Sequence, residues 1–285
     1  MALECALKTC PNVALISEES VDRKETLRDI VNNLCEVICD RAKTGKNFGC
    51  ILIPEGLLAC IASFDQMIKE LNQVFAKAKT NKQKAQIAHS LEDEGEIKSA
   101  LSPWSYSLFT SLPLFFQHQI LVYREIEGSI KLSQLETERL VAYLVSEELD
   151  KRKKNGTYSG TFAPVTHFFG YQGRSAHPSH FDCSLGSTCG FAAARLIEAG
   201  LTATAVSVKQ ISQPPEEWRV GGVPIMALLS SYPKEGFERH KLVVRSNQVN
   251  IKSAPFQEYK RQVKSWMTQE HYTNPGPIQF NYDQN

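Results

Sequence analysis

The sequence predicts an α/β fold, a doubly wound parallel sheet with helices on both faces. Two short apolar runs, at 12–16 and 49–53, are separated by a long segment whose hydrophobic residues recur with a helical period. Neither run alternates apolar with polar residues, which is typical of strands buried on both faces of a parallel sheet. Ligands of such sheets bind beyond the carboxyl ends of the strands, so each strand-to-helix turn is a candidate site.

Hydrophobic periodicity predicts helices for most of the first part of the chain. They are expected at 2–9, 22–43, 57–78, 103–123 and from 133 to about 154. The segment 103–123 is expected to form one or two buried helices around Pro113. Ser133 and Glu136 fit a capping box that would open the last helix. The polar stretch 79–100 is predicted to be a surface insertion or loop.

The rest of the chain is predicted to alternate strands with helices. Strands are expected at 161–169, leading into a glycine-rich turn, and at 203–208. Helices are expected at 182–199 and 256–267. Asp182 is an acceptable N-cap for the first of these helices.

The composition excludes several classes of protein. Of the 285 residues, 42% are hydrophobic and 22% are charged, and the net charge is +1, so no basic footprint for nucleic acid is present. The basic run at 151–154 lies at a predicted helix end, where cations complement the helix dipole. No apolar run reaches the ~18 to 20 residues of a membrane span, and the N-terminus does not fit a signal peptide. These features predict a cytosolic protein without nucleic-acid or membrane partners.

The chain has eight cysteines and no CxxC pair. Free thiols in a reducing compartment are expected, since Cys35 and Cys39, four apart on a predicted helix, are poorly placed for a disulfide. His177, His180 and Cys183 raise the alternative of a zinc site. Their spacing matches no closed structural site, which favours a loop leading into a helix, and no metal ligand is predicted in this chain.

Glu55 is the first candidate site residue. It follows the apolar run 49–53 in the sequence ILIPEG, where Pro54 and Gly56 would shape a turn at the carboxyl end of a strand. A carboxylate in that place can accept hydrogen bonds from neutral sugar hydroxyls. The alternative is a glutamate at the start of a helix, where it stabilises the helix dipole.

The second candidate is the glycine-rich turn in HFFGYQGR, residues 167–174. Gly170 and Gly173 would let the backbone approach a ligand closely. Tyr171 offers a hydroxyl, and the guanidinium of Arg174 matches phosphate oxygens in a bidentate way. The pattern indicates a pocket for a phosphate ester. A GxxxxGK[ST] loop, an Asp-x-Asp pair and a GxSxG elbow are all absent from the sequence.

Nearly the whole chain resembles the pyrophosphate-dependent 6-phosphofructokinases. The stretch 167–194, HFFGYQGRSAHPSHFDCSLGSTCGFAAA, is similar to the fructose 6-phosphate loop of that family, as are PEEW at 215–218 and GGVP at 221–224. The segments RAKTGKNFGCILIPEGL and LSPWSYSLF also fit. LSQLETERLVAYLV and NPGPIQF resemble the long plant-type subunits.

The resemblance implies a phosphofructokinase-like fold and the reversible transfer of a phosphoryl group from pyrophosphate to fructose 6-phosphate in glycolysis. The product would be fructose 1,6-bisphosphate, and Mg²⁺ would be the cofactor. Glu55 would bind the sugar hydroxyls, and Tyr171, Gln172, Gly173 and Arg174 would close over the substrate, with Arg174 on the 6-phosphate. Gln172 occupies a position that is often Glu in the family. Oligomers of phosphofructokinase subunits are implied, because the family's sugar site borrows groups from a neighbouring subunit.

The resemblance also implies that part of the enzyme is missing. The family's pyrophosphate loop, catalytic aspartate motif and Met-Gly-Arg motif are expected upstream of Met1, so no catalytic residue and no Mg²⁺ ligand is assigned here. The implied organisation is a fructose 6-phosphate-binding domain at 1–181, with a helical insertion around 57–155, and a segment 182–285 that returns to an absent N-terminal domain.

The chain alone is therefore expected to be inactive. It would be an incomplete gene product or a subunit that needs another chain for the donor half, and the residues that choose pyrophosphate or ATP would lie upstream. The alternative is a non-catalytic, sugar-phosphate-binding regulatory subunit of a phosphofructokinase complex.

Overall fold

The computed structural model describes residues 1–76, 78, 80–125, 128–173, 175, 177–233, 240–244 and 247–276. The side chains of residues 232, 233, 240, 241 and 243 are not part of the description. The chain divides into two compact units. The first comprises Met1–Phe168 and Gln248–Thr273, and the described residues of the second lie between 169 and 247 and at 274–276. None of the described helices combines the length and the apolar character needed to cross a bilayer.

A short parallel sheet lies in the first unit. Strand β1 (Val13–Ala14) pairs with β2 (Ile51–Leu52), with Val13 opposite Ile51. The connection runs through α2 (Ser17–Asp22) and α3 (Leu27–Lys43). The mixed α/β class is confirmed, whereas the doubly wound sheet stays a prediction, because the parallel sheet that the structure describes has two strands.

Helix α3 begins at a capping box. Thr26 is the N-cap, its hydroxyl accepts a hydrogen bond from the backbone N–H of Asp29, and the Asp29 carboxylate accepts one from the backbone N–H of Thr26. Hydrogen bonds from the Thr26 side chain and backbone lower the pKa of Asp29. The helix buries Ile30 and Leu34, which are both 1% exposed, and its apolar face packs in the main core of the unit.

Six α-helices follow β2 in the first unit before the chain enters the second unit. They are α4 (Ala62–Phe75), α5 (Asn81–Ser90), α6 (Glu94–Ala100), α7 (Pro103–Ser111), α8 (Leu114–Val122) and α9 (Thr137–Lys154). Phe64, Phe75 and Phe116 are fully buried at the centre of their common core. The expected division around Pro113 is confirmed, since Pro113 is the N-cap of α8. Helices α7 and α8 are not buried throughout, because Trp104 on α7 is 89% exposed.

Of the two forms predicted for 79–100, a surface insertion or a loop, the loop is wrong, because α5 and α6 occupy this stretch. The polar composition does not reveal α5, because this helix buries Ala88 and the charged Lys84 rather than a stripe of large apolar residues. The helix is nonetheless well capped: the Thr80 hydroxyl accepts from the backbone N–H of Gln83, and the Gln83 amide oxygen accepts from the backbone N–H of Thr80.

The capping box predicted for α9 is also wrong. Ser133 lies within a 3₁₀ turn, Leu132–Gln134, and α9 begins at Thr137 with Glu136 as an N-cap that makes no side-chain cap. The Glu136 carboxylate instead accepts a hydrogen bond of 2.5 Å from the Gln119 amide, and the Glu136 backbone N–H donates to the Gln119 oxygen. The contact of Glu136 with Gln119 on α8 thus takes the place of the predicted local contact with Ser133.

A second core of the first unit joins the two ends of the chain. Helix α1 (Ala2–Thr9) packs against α12 (Ala254–Thr268), and the core contains Leu3, Ala6, Ala14, Ile16, Phe256, Tyr259, Val263 and Trp266. The Tyr259 hydroxyl donates to the carbonyl of Ala14 at 2.7 Å, so α12 is fixed to β1 by a buried hydrogen bond. Both helices were expected from the sequence and are confirmed.

The second unit pairs a long helix with a hairpin of strands. Helix α10 (His180–Glu198) precedes β3 (Thr204–Lys209), which pairs antiparallel with β4 (Arg219–Pro224). A one-turn helix α11 (Ile225–Leu228) leads to a further antiparallel pair, β5 (Leu229–Pro233) and β6 (His240–Val244). The expected helix and the strand at 203–208 are confirmed.

The strand predicted at 161–169 is wrong, since no strand is assigned there. The backbone N–H of Thr161 donates to the side-chain oxygen of Asn47 at 3.0 Å rather than to a neighbouring strand. Val165 is 95% exposed, so the apolar residues of this stretch are not held by a sheet. The β-branched and aromatic composition that favours a strand had no pairing partner within the described residues.

An ion-pair network fixes the residues that follow α12. The guanidinium of Arg41, which is 4% exposed, donates to the carbonyls of Phe48 and Met267 and to the Glu270 carboxylate at 2.6 Å. Lys46 donates to the other oxygen of Glu270 at 2.8 Å. The hydrogen bonds from Lys46 and Arg41 lower the pKa of Glu270 to about 2.

Replacing Glu270 by Gln is expected to destabilise the protein at neutral pH by an amount that shrinks in acid. The folded pKa lies below the ordinary value of about 4.3, so this carboxylate stabilises the fold above that value. The stabilisation is lost as the pH falls towards about 2. Urea midpoints of the wild type and the variant between pH 7 and pH 3 measure the difference. A difference that stays constant over this range would contradict the assignment.

Candidate functional site

Glu55 lies at the carboxyl end of the parallel pair, as expected. Two residues separate it from β2, and a turn at Pro54–Leu57 closes with a hydrogen bond of 3.1 Å from the Leu57 N–H to the Pro54 carbonyl. The turn leads directly into a short 3₁₀ helix, Leu58–Cys60, which begins three residues after Glu55. The side chain is exposed at the edge where ligands of parallel sheets bind.

The glycine-rich segment forms a tight turn at residues 170–173 of the second unit. The Tyr171 carbonyl accepts hydrogen bonds from the backbone N–H and the hydroxyl of Ser175, at 2.9 and 3.0 Å. A Cβ added to Gly173 would lie 2.7 Å from the Phe169 carbonyl oxygen. Gly173 is therefore required by the turn itself, whereas Gly56 has open space around its Cα.

The side chains of this turn are open to solvent. Tyr171 is 85% exposed and Phe169 is 62% exposed, and Gln172 is exposed as well. Arg174 lies outside the described residues. Glu55 belongs to the first unit, and Tyr171, Gln172 and Gly173 belong to the second. The assignment of these residues to one sugar-phosphate site remains a prediction.

Helix α10 begins seven residues after Gly173, the last residue of the turn, and is firmly capped. Its N-cap is Ser179, not Asp182: the Asp182 carboxylate accepts from the Ser179 N–H at 2.7 Å, and the Ser179 hydroxyl accepts from the Asp182 N–H. Hydrogen bonds from the Ser179 backbone and side chain lower the pKa of Asp182. The predicted N-cap is therefore three residues too late, because Ser179 ends the preceding loop and Asp182 lies in the first turn of the helix.

Two aromatic residues support this helix start, and sequence reasoning from spacing did not single them out. The rings of Phe181 and Trp218 pack edge to face with centroids 5.8 Å apart. The Trp218 indole N–H donates to the Gln213 carbonyl at 2.8 Å, and Trp218 is 8% exposed. Trp218 belongs to the PEEW motif at 215–218, and this motif is the feature of the sequence that indicates a role for Trp218.

The described residues do not fit a magnesium or zinc site. His180 and Cys183 lie on α10, and no group of three His, Cys, Asp or Glu side chains comes together anywhere in the part of the chain that the structure describes. A hard cation such as Mg²⁺ takes several oxygen ligands.

Gly173→Ala is expected to disrupt the turn at 170–173. The added methyl would collide with a backbone carbonyl, and overpacking of this kind typically costs ~1–3 kcal/mol. Hydrogen exchange of the Ser175 amide, which is bonded to the Tyr171 carbonyl, should accelerate by about tenfold or more, since ~1.4 kcal/mol is a factor of ten. Gly186→Ala is the matched control, because an added Cβ there meets nothing within 4 Å. Unchanged exchange in both variants would refute the steric argument.

Comparison with known proteins identifies relatives of almost the whole chain. Pyrophosphate–fructose 6-phosphate 1-phosphotransferase subunit beta of Solanum tuberosum is 38% identical over 281 residues, covering 98% of this chain and 47% of that protein. The Treponema pallidum protein named pyrophosphate–fructose 6-phosphate 1-phosphotransferase is 38% identical over 284 residues, covering 98% and 48%. Subunit alpha 2 of Arabidopsis thaliana is 35% identical over 289 residues, covering 98% and 44%.

The chain spans about half the length of the curated relatives that it matches. No family model matches the chain. The resemblance stated from the sequence motifs is nevertheless confirmed by the named relatives. Over 98% of its length this chain is a homologue of the pyrophosphate–fructose 6-phosphate 1-phosphotransferases, including beta subunits from plants.

Proposed function

We propose that this chain supplies the sugar-phosphate half of a pyrophosphate-dependent phosphofructokinase, which interconverts fructose 6-phosphate and fructose 1,6-bisphosphate in cytosolic glycolysis. The observation that carries the proposal is the identity of 38% over 98% of the chain with a protein of that name. The exposed turn that holds Tyr171, Gln172 and Gly173 supports it, because a phosphate ester can reach these groups without displacing a buried side chain.

In this proposal each site residue has a chemical role. The Glu55 carboxylate accepts hydrogen bonds from sugar hydroxyls, and Arg174 binds the 6-phosphate through its planar fork. The Tyr171 hydroxyl and the Gln172 amide add neutral hydrogen bonds. Gly173 lets the backbone of the turn approach the ligand, because it has no side chain. The turn also has no room for a Cβ at this position. These contacts bind and orient the acceptor sugar without moving a proton.

Phosphoryl transfer itself needs groups that we do not assign to this chain. Catalysis of this reaction depends on positioning and on stabilising charge around the transferred group. We therefore infer that the pyrophosphate site, the general base and the Mg²⁺ site belong to a donor half, and that this chain alone is inactive. In this organisation residues 1–181 bind the sugar, the helices around 57–155 form an insertion, and the segment from 182 onward packs against the donor half.

Helix α10 supports this packing. None of its 19 residues is buried, and Phe191 and Ile197 are 79% and 77% exposed. Between Asp182 and Arg195 the helix carries no charged residue, although exposed helix faces usually carry several. Such a face is stabilised when another polypeptide covers it.

The names of the relatives favour a second candidate. Relatives are named as alpha and as beta subunits, which suggests assembly of unlike chains. The chain could therefore be a non-catalytic regulatory subunit that binds the same sugar phosphate and changes the activity of a complete enzyme.

Titration calorimetry tests the sugar site directly. The wild type is expected to bind fructose 6-phosphate, and Arg174→Ala should lose at least ~1.5 kcal/mol of binding, the value of a charge-assisted hydrogen bond. Glu55→Gln and Tyr171→Phe should lose less, since each removes one contact. The matched control is Arg195→Ala, which removes an exposed arginine that forms an ion pair with Glu198 on its own helix. Equal binding by all variants, or none by the wild type, would contradict a sugar site formed by this chain.

Enzyme reconstitution separates the two candidates. The chain would be mixed with the part of the Solanum tuberosum beta subunit that it does not match, in the presence of fructose 6-phosphate, pyrophosphate and Mg²⁺. Formation of fructose 1,6-bisphosphate by the mixture, and by neither component alone, is expected for the sugar-phosphate half. A regulatory subunit would instead leave this mixture inactive and change the rate of the complete Solanum tuberosum enzyme.

A further inference from the structure

The two strands of the parallel pair leave their sheet side by side. The pairing continues one residue beyond β1, since the backbone N–H of Leu15 donates to the Leu52 carbonyl at 2.9 Å. Ser17 follows Leu15 by two residues, and Glu55 follows Leu52 by three. Neighbouring strands of a sheet lie about 4.8 Å apart. Ser17 therefore lies at the same edge of the sheet as the turn that carries Glu55.

Ser17 is the first residue of α2 and contacts the segment that follows this turn. Serine usually acts as the N-cap of a helix, but the N-cap of α2 is the apolar Ile16. Helix α2 packs instead against the 3₁₀ helix Leu58–Cys60. Burial raises the pKa of the Cys60 thiol, and a side-chain hydrogen bond with Ser17 acts in the opposite direction. A donor favours the thiolate in this way, so the Ser17 hydroxyl donates to the Cys60 sulfur.

Backbone hydrogen bonds extend this contact to the turn that carries Glu55. The backbone N–H of Cys60 donates to the Leu57 carbonyl at 3.0 Å, and the N–H of Leu57 donates to the Pro54 carbonyl at 3.1 Å. Pro54 and Leu57 are the two ends of the turn. Three successive hydrogen bonds thus join Ser17, at the end of β1, to the base of the turn.

The tip of the turn has more conformational freedom than its base. Leu57 and Leu58 are buried in the main core and fix the end of the turn. At the tip, the Glu55 side chain is exposed, and Gly56 has room for a Cβ among the described residues. Glycine populates more backbone conformations than any other residue. Hydrogen bonds at the base limit this freedom, and Ser17 supplies one of them from outside the turn.

We infer that Ser17 is a positioning residue for Glu55, because its contact with Cys60 holds the turn in the conformation that presents the carboxylate to the sugar. The inference rests on the proposed function, in which Glu55 accepts hydrogen bonds from sugar hydroxyls. Ser17 acts through the turn, without contact to the substrate. A group whose backbone is already ordered loses less conformational entropy on binding, so loss of the Ser17 hydroxyl should weaken the affinity for the sugar through Glu55.

Hydrogen exchange of the full chain tests the contact without a ligand. In Ser17→Ala the Leu57 amide, which is bonded to the Pro54 carbonyl, should exchange about fivefold faster, the effect of losing one ordinary hydrogen bond. Ser17→Thr keeps a hydroxyl and should restore the wild-type rate. The amide of Ile30 on α3 reports on the folding of the unit and should stay unchanged. A Leu57 rate that is the same in the wild type and Ser17→Ala would overturn the contact.

A double-mutant cycle tests whether Ser17 acts through Glu55. In titration calorimetry with fructose 6-phosphate, Ser17→Ala should raise the Kd about threefold, less than Glu55→Ala does. In the Glu55→Ala background the same change should leave the Kd unaltered, because the side chain that the turn presents is gone. Cys60→Ala should reproduce the effect of Ser17→Ala, and Ser17→Thr should restore the affinity. The matched control is Ser99→Ala, which removes an exposed hydroxyl bonded to the Glu96 carbonyl on its own helix.

The outcomes separate this inference from the proposed function. An equal effect of Ser17→Ala with and without the Glu55 side chain would overturn the inference, since a merely structural role of Ser17 predicts additive effects. An unchanged Kd in Ser17→Ala, where Glu55→Ala does weaken binding, would overturn it as well. A wild type that does not bind fructose 6-phosphate would instead refute the proposed function, and the inference with it.

Discussion

The buried side chain of Asn12 is the contact on which the parallel pair and the C-terminal helix both depend. It is 2% exposed, and its amide donates to the Trp266 carbonyl at 2.7 Å. Its oxygen accepts from the backbone N–H of Cys50 at 3.0 Å and from the Tyr272 hydroxyl. A buried amide must satisfy donor and acceptor together, so this one residue sets the relative positions of β1, β2 and the end of α12.

This constraint reaches the candidate site through the backbone of β2. Cys50 immediately precedes β2, and Glu55 lies in the turn that follows β2. The hydrogen bond between Asn12 and Cys50 therefore helps to fix the position of Glu55. Arg41 reinforces the arrangement, because its guanidinium joins the Phe48 carbonyl to that of Met267. The carboxylate proposed to bind sugar hydroxyls is therefore placed by buried polar contacts far away in the sequence, while its own side chain stays exposed.

Sequence patterns predicted those features in which local signals agree with tertiary contacts. Helix α3 has a clean apolar stripe, which predicted its body and its end, although the predicted start at residue 22 is five residues too early and α2 was not predicted. The strand β2 was predicted from a short apolar run that is followed by Pro54. The patterns failed where a residue distant in the sequence determines the local structure. The Gln119 amide donates to the Glu136 carboxylate, which therefore does not form the predicted capping box with Ser133. For the site, the position of Glu55 at a strand end followed from the sequence, whereas the clash that makes Gly173 obligatory depends on a carbonyl orientation that no pattern encodes.

The second core has a consequence for how the protein is made. Leu3 and Ala6 from one end of the chain meet Val263 and Trp266 from the other, and the backbone N–H of Thr273 donates to the Thr9 carbonyl. Contacts across such a sequence separation form slowly, because the intervening chain must first be ordered. Helix α1 therefore emerges from the ribosome long before its packing partner α12 has been synthesised. Its apolar face stays exposed to chaperones in the nascent chain until α12 has been translated.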